Sequence, residues 1–196
     1  MCSFPDYLQL FFWEKRNNNP LIITSSFETV LGPMIAGATV DGICLLEFND
    51  RRMLNTELRD LKKFLDSEIS EGKNAHIENL RIQLDEYFEG TRKEFDLKLV
   101  TPGTVFQQSV WQELLRIPYG TTRSYQEQAN ALGKSGSIRA VANANGMNRI
   151  AIVIPCHRVI GSDGSLTGYG GGLKRKRWLL DHEKKHSGQA VDLTLF

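Results

Sequence analysis

Over residues 25 to 48 the apolar positions fall at strand spacing, and the segments 35–40 and 43–48 flank Asp41-Gly42, a pair that favours a type I′ hairpin turn. A meander is expected there. Downstream, Ile77, Leu80, Leu84, Tyr87 and Phe88 share one face of a helix that Asn74 caps and Gly90 ends, so the spacing predicts a helix laid on the sheet. Phe95, Leu97 and Leu99 alternate with Glu94, Asp96 and Lys98 as in one more half-buried strand, until Thr101-Pro102-Gly103 breaks the pattern. A domain boundary is expected at that break, with residues 1–100 on one side and 101–196 on the other.

Beyond it the pattern changes, because twelve of the 17 glycines lie there and short helical stretches are joined by turns. Thr104 caps a helix with Phe106, Val110 and Leu114 inward, and Ser124 caps another over 125–132. Gly133-Lys134-Ser135-Gly136 then turns the chain into a helix over 137–145 that Gly146 closes. Two short helices about a glycine-bearing turn make a helix-turn-helix. The second is lined with small side chains and carries one long cation, Arg139, near its start. Small-residue helices also pack tightly inside proteins, so spacing alone leaves both uses open. The apolar run 150–154 reads as a buried strand that delivers Pro155-Cys156-His157-Arg158 to its end. Leu173–His186 reads as a basic amphipathic helix anchored by Trp178, Leu179 and Leu180.

Composition narrows the class. With 196 residues, 41% hydrophobic and 24% charged, the chain is long and apolar enough to bury a core, which excludes disordered, collagen-like and disulfide-dense classes. No apolar run approaches the length of a membrane span, and the first residues lack a signal peptide's features, so a soluble intracellular protein is expected. The net charge of +1 conceals a polarity: residues 101–196 hold twelve basic side chains against six acidic, residues 1–100 twelve against seventeen. A basic half suits a surface that faces phosphates, and an unevenly solvated surface accounts for the same numbers. Three cysteines without C-x-x-C spacing argue against a disulfide framework and a zinc knuckle.

Among those cysteines, Cys44 sits inside an apolar strand and reads as an inert small hydrophobe, and Cys2 as a terminal thiol. Cys156 differs, since His157 and Arg158 follow it and a nearby cation lowers a thiol's pKa. Sequence neighbours point in different directions, so a water would carry a proton between Cys156 and His157. An imidazole base also needs a partner that fixes its tautomer, and Glu183 is the carboxylate most open to being carried inward by apolar neighbours. Its alternative is a surface helix charge.

Pro155-Cys156-His157-Arg158-Val159-Ile160, with Ser137-Ile138-Arg139-Ala140-Val141 before it and Gly168-Tyr169 and Trp178-Leu179-Leu180-Asp181-His182-Glu183 after it, resembles the O6-alkylguanine-DNA alkyltransferases, or methylated-DNA–protein-cysteine methyltransferases, over residues 104–184. The resemblance implies a mixed α/β fold. Its parts would be a ribonuclease H-like sheet-plus-helix N-terminal domain and a mostly helical C-terminal domain with a winged-helix-like helix-turn-helix. It implies a cofactor-free monomer, cytoplasmic or, in a eukaryote, nuclear. The activity implied is single-turnover transfer of the alkyl group from O6-methylguanine, and less well O4-methylthymine, in double-stranded DNA to Cys156, with the nucleotide flipped out from the minor groove.

By the same resemblance His157 acts through water as the base, Glu183 orients it, Tyr125 donates a proton to guanine N3, and Asn148 braces the active-site turn. Arg139 fills the emptied duplex, Ala140, Ala142, Asn143 and Ala144 lie against the groove, and Tyr125 and Arg158 belong to the DNA contacts. Val159, Tyr169, Gly170 and Gly171 line the pocket, and the carbonyls of Cys156 and Val159 accept from the guanine's exocyclic amine. Zinc, which some relatives hold in the N-terminal domain, is not expected from Cys2, Cys44 and His76. Three positions depart from the family pattern. Ala142 stands where many relatives have glycine. Arg149 stands where many have proline, adding a cation near the pocket. Gly170 stands where some have serine, which bears on the tolerance of bulky alkyl groups. The rivals are a binding module that flags lesions without repair, an unrelated cysteine hydrolase or acyltransferase, and a redox regulator needing a resolving thiol.

Overall fold

A computed structural model describes residues 20–188. The first half is a four-stranded sheet in the order β3-β2-β1-β4, built from β1 (Leu21–Phe27), β2 (Met34–Ala38), β3 (Ile43–Phe48) and β4 (Glu68–Glu71). The first three strands form an antiparallel meander, and β4 joins β1 in parallel after the crossover helix α1 (Leu54–Leu65). Every residue of β3 is buried, because α1 covers one face through Leu61 while the helical half covers the other. Cys44 lies on the α1 side among Ile22, Leu45 and Leu61, and burial pushes its thiol up to about 12, as befits an inert hydrophobe.

The hairpin differs from the type I′ expectation. β2 ends at Ala38, its register with β3 shifts between Gly37 and Ala38, and the loop closes with Thr39 N donating to Gly42 O at 3.0 Å. Gly42 takes φ 152° but Asp41 has no positive φ, which a type I′ turn requires at both central residues. The bare Gly42 lets the backbone of Lys98 pass close by, where Ile43 N donates to Lys98 O at 2.9 Å.

That passing segment corrects a second expectation. Residues 95–99 make one isolated parallel bridge, Ile43 to Leu99, and no further strand pairing. The side chain of Gln83, on α2 (Ala75–Phe88), takes the strand partner's place: its Oε1 accepts from Asp96 N at 2.8 Å and its Nε2 donates to Asp96 O at 2.8 Å. The helix α2 begins at its Asn74 cap and stops at Gly90, φ 79°, as the sequence predicts.

The second half comprises α3 (Val105–Leu115), the two-residue β5 (Arg123–Ser124), α4 (Tyr125–Ala131), α5 (Ile138–Gly146), a 3₁₀ turn (Cys156–Arg158), β6 (Val159–Ile160) and α6 (Leu173–His186). Reciprocal capping boxes open α3, through Thr104 and Gln107, and α4, through Ser124 and Glu127. One apolar core joins the halves, running from Met34, Phe48 and Tyr87 to Trp111, Ile154 and Leu179. Among the described residues no helix is long and apolar enough to cross a membrane.

Candidate active site

Strand β3 pins the approach to Cys156. Leu46 N donates to Arg149 O and Ala151 N to Leu46 O, each at 2.8 Å, giving one isolated bridge to Ile150. The strand expected over 150–154 goes no further. Val153 N donates back to Ala151 O at 2.8 Å, and Cys156 N back to Ile154 O at 2.8 Å, so the run is buried but coiled. Ile152 sits at φ 70°, costly for a β-branched residue, and complete packing around it holds that conformation. Asn148 fixes the coil from inside. Its Oδ1 accepts from Ile150 N at 3.0 Å, while its Nδ2 donates to Ile154 O at 2.8 Å and to Cys156 Sγ at 3.3 Å.

Burial pushes the Cys156 thiol up to about 11; the Asn148 hydrogen bond and the charges of Arg51 and Lys176 oppose that rise without cancelling it. A thiol lowered by its neighbouring cation is therefore not found. Arg158 points elsewhere, donating Nε and Nη2 to Glu183 at 2.8 and 2.9 Å and Nη1 to Ile117 O at 2.6 Å. This corrects its expected place among the DNA contacts, since the buried guanidinium is committed to the interior.

Glu183 is fully buried and collects further donors on both oxygens: Tyr87 Oη and His157 Nε2 on Oε1, each at 2.8 Å, and Gly120 N on Oε2 at 3.1 Å. Burial works against the carboxylate, but the hydrogen bonds from His157 and Arg158 and the charge of the Arg158 guanidinium outweigh it and hold the group well below the usual carboxylate range. His157 moves the other way, lowered from its ordinary value by burial despite Glu183. We take the imidazole as neutral, because the Arg158 guanidinium already compensates the carboxylate. Nε2–H then donates to Glu183, and Nδ1, buried and without a partner among the described residues, is left as an unprotonated base.

Helix α5 exposes Arg139, Ala140, Asn143 and Gly146, half-exposes Ala142, and buries Val141, Ala144 and Asn145. The buried Ala144 corrects its expected place at the groove: Trp111 Nε1 donates to its carbonyl at 2.8 Å. Asn145 and Gln128 exchange two hydrogen bonds, at 2.7 and 3.1 Å, and lock α5 onto α4. A cavity of about 550 Å³ opens beside the exposed face, lined by Arg139, Ala142, Asn143 and Gly146, by Tyr125, Tyr169 and Gly170, and by Arg51. Cys156, half-buried, is not in its lining, but the charge of a thiolate there would bear on Tyr125, Tyr169 and Arg51 alike, which puts the sulfur beside the same walls.

Tyr125 Oη donates to Thr167 O or Gly168 O, at 3.2 and 3.3 Å, and burial raises its pKa, so it stays protonated. Val159 is buried and its carbonyl accepts from Lys176 Nζ at 2.5 Å; the Cys156 carbonyl accepts from Val159 N. Gly171 packs against the ring of Phe48. The cation of Arg149 turns away from the pocket, with Nη1 on Pro102 O at 2.8 Å and the guanidinium over Phe64, correcting the expectation of an added charge there. Sequence reasoning missed Tyr87, Lys176 and Arg51. Lys176 is fully buried in a helix otherwise rich in surface cations, and only the i, i+3 spacing to Leu179 marks it as inward-facing.

Fold and site together define a mixed α/β protein built around a half-buried cysteine, backed by a buried His–Glu pair and lying beneath a helix-turn-helix. A family model described as the DNA-binding domain of 6-O-methylguanine DNA methyltransferase matches residues 105–185, and one described as its ribonuclease-like domain matches residues 22–101. The chain belongs to the methylated-DNA–protein-cysteine methyltransferases. A member from Mycolicibacterium paratuberculosis is 48% identical over 170 residues, covering 83% of this chain and 99% of that protein. One from Mycobacterium tuberculosis is 59% identical over 114 residues, covering 58% and 68%. The crystal structure of Mycobacterium tuberculosis OGT in complex with DNA superposes with a TM-score of 0.72 at 40% identity, covering 84% of this chain and 94% of that one.

Proposed function

We propose that this protein repairs double-stranded DNA by moving the alkyl group of O6-methylguanine, and less well O4-methylthymine, onto Cys156. The observation that supports the reading is geometric: the buried Nδ1 of His157 has no hydrogen-bond partner among the described residues, on a ring that Glu183 holds one residue from Cys156. The thiol proton passes through a water to Nδ1, and the resulting imidazolium is stabilised by the Glu183 carboxylate. Sulfur attacks the alkyl carbon, the carbon–O6 bond breaks with its electron pair going to the base, Tyr125 supplies a proton to guanine N3, and the proton held on His157 returns through water to the Tyr125 oxygen. The products are guanine and a thioether. A thioether has no carbonyl for water to attack, so each molecule acts once and needs no cofactor.

Arg139, free of hydrogen bonds and ion pairs among the described residues, extends from α5 beside the cavity and suits a finger that fills the duplex while the nucleotide is flipped out. Ala140, Ala142 and Asn143 offer the low-relief surface that approach to a minor groove requires. Residues 1–100 would act as the frame and 101–196 as the DNA-binding domain. A monomer acting in the cytoplasm, or in a eukaryotic nucleus, fits the reading. Mixing the protein with a duplex containing labelled O6-methylguanine tests it. One equivalent of label should reach Cys156 and none should move in Cys156→Ser; label left on the DNA, or repeated turnover, overturns the proposal.

A further inference from the structure

Gly170 has no side chain, yet the space beside it is filled. A Cβ built there would coincide with Nη1 of Arg51, which comes from the turn between β3 and α1 in the other half of the chain. We propose that Arg51 is a specificity-determining residue for alkyl transfer: its guanidinium takes the place of a side chain at position 170 and forms the wall of the lesion pocket that limits the size of the alkyl group. This rests on the transfer reaction proposed above.

Three observations carry it. Arg51 and Gly170 line the same cavity, together with Tyr125 and Tyr169. The guanidinium is not a loose tip that swings aside. Nε and Nη2 both donate to Glu57 Oε1, at 2.8 and 2.6 Å, and Nη2 also donates to Gly146 O at 2.8 Å, at the end of the helix that carries Arg139. A planar fork held on three bonds and buried to 9% exposure keeps its position. Finally, Nη1 is the one nitrogen of the group that donates no hydrogen bond among the described residues; the buried Glu47 carboxyl lies 3.5 Å from it. The atom nearest Gly170 is therefore the one that no hydrogen bond of the scaffold engages, on a residue that lines the pocket.

The test compares transfer rate constants for one duplex carrying either O6-methylguanine or O6-benzylguanine at the same position, so that contacts to the rest of the DNA cancel. In Arg51→Ala the benzyl-to-methyl ratio should rise about tenfold or more. Arg51→Lys keeps a cation at Glu57 but withdraws the planar tip, and should move the ratio the same way by less; it also gives the answer if the alanine variant does not fold. Adding Gly170→Ser to Arg51→Ala refills the space and should return the ratio toward its starting value. A ratio unchanged in both single variants, with the two rates falling together, overturns the proposal and makes Arg51 merely a tie between the halves. Absence of transfer from either substrate by the unaltered protein would instead strike the transfer reaction itself.

Discussion

With its thiol raised to about 11, Cys156 in the free protein is ionised only to roughly one part in ten thousand at neutral pH, so its proton must leave as the alkyl carbon approaches. Alkylation of Cys156 by iodoacetamide, followed by mass spectrometry, should therefore accelerate about tenfold per pH unit between pH 7 and 9. A plateau below pH 8 would reveal a resting thiolate and leave His157 nothing to do. Tyr87 lends its hydroxyl to Glu183 from 96 residues away, so Tyr87→Phe should cost about 1.5–3 kcal/mol in urea unfolding, as for a hydrogen bond to a charged group. Cys156, His157 and Glu183 were legible because short sequence patterns carry them. Tyr87 was not, since an aromatic on the apolar face of a helix reads as core, and no local pattern announces that its hydroxyl serves a distant carboxylate.

At the scale of elements, α5 divides its two faces by spacing: Arg139, Ala142, Asn143 and Gly146 recur at i, i+3, i+4 and i+7 along the cavity, while Val141, Ala144 and Asn145 pack inward. Arg139→Ala should slow transfer from duplex DNA at least tenfold more than transfer from free O6-benzylguanine, because only the duplex needs the vacated stack filled; equal losses would remove the finger role. On the inner face, Asn145→Ala leaves the buried Gln128 Oε1 without its donor and should cost about 1–3 kcal/mol, measured by chemical unfolding. Capped helices such as α2, α3 and α4 could be read from sequence because their start signals are local. Helix α1 escaped although Leu54, Leu58, Leu61 and Leu65 recur at helical spacing, for it opens at Met53 with no capping side chain. The short β4 has little β-former content, and the segments 95–99 and 150–154 look like strands but are satisfied by a glutamine side chain and by their own turns.

For the whole molecule, two buried carboxylates set opposite limits on stability. Glu183 is held below the ordinary carboxylate value, so its contribution is present at neutral pH and lost as pH falls below about 4. Glu47 is raised to about 8, chiefly by burial, so its protonated form favours the fold in acid and that advantage fades as pH rises from its unfolded value, about 4.3, through 8. Thermal unfolding should accordingly show a smaller loss of Tm between pH 5 and 9 in Glu47→Gln than in the parent; an equal loss would mean that Glu47 ionises freely. The segments on either side of residue 101, where a domain boundary is expected, share one interior, since Met34, Phe48 and Tyr87 share a core with Trp111, Ile154 and Leu179. No modular exchange of either half is then neutral. A graft of the helical half onto a foreign sheet would inherit the reactive sulfur but lose the hydroxyl that reaches Glu183 and the guanidinium that reaches Gly170 from across the join, and sequence drift in one half constrains drift in the other.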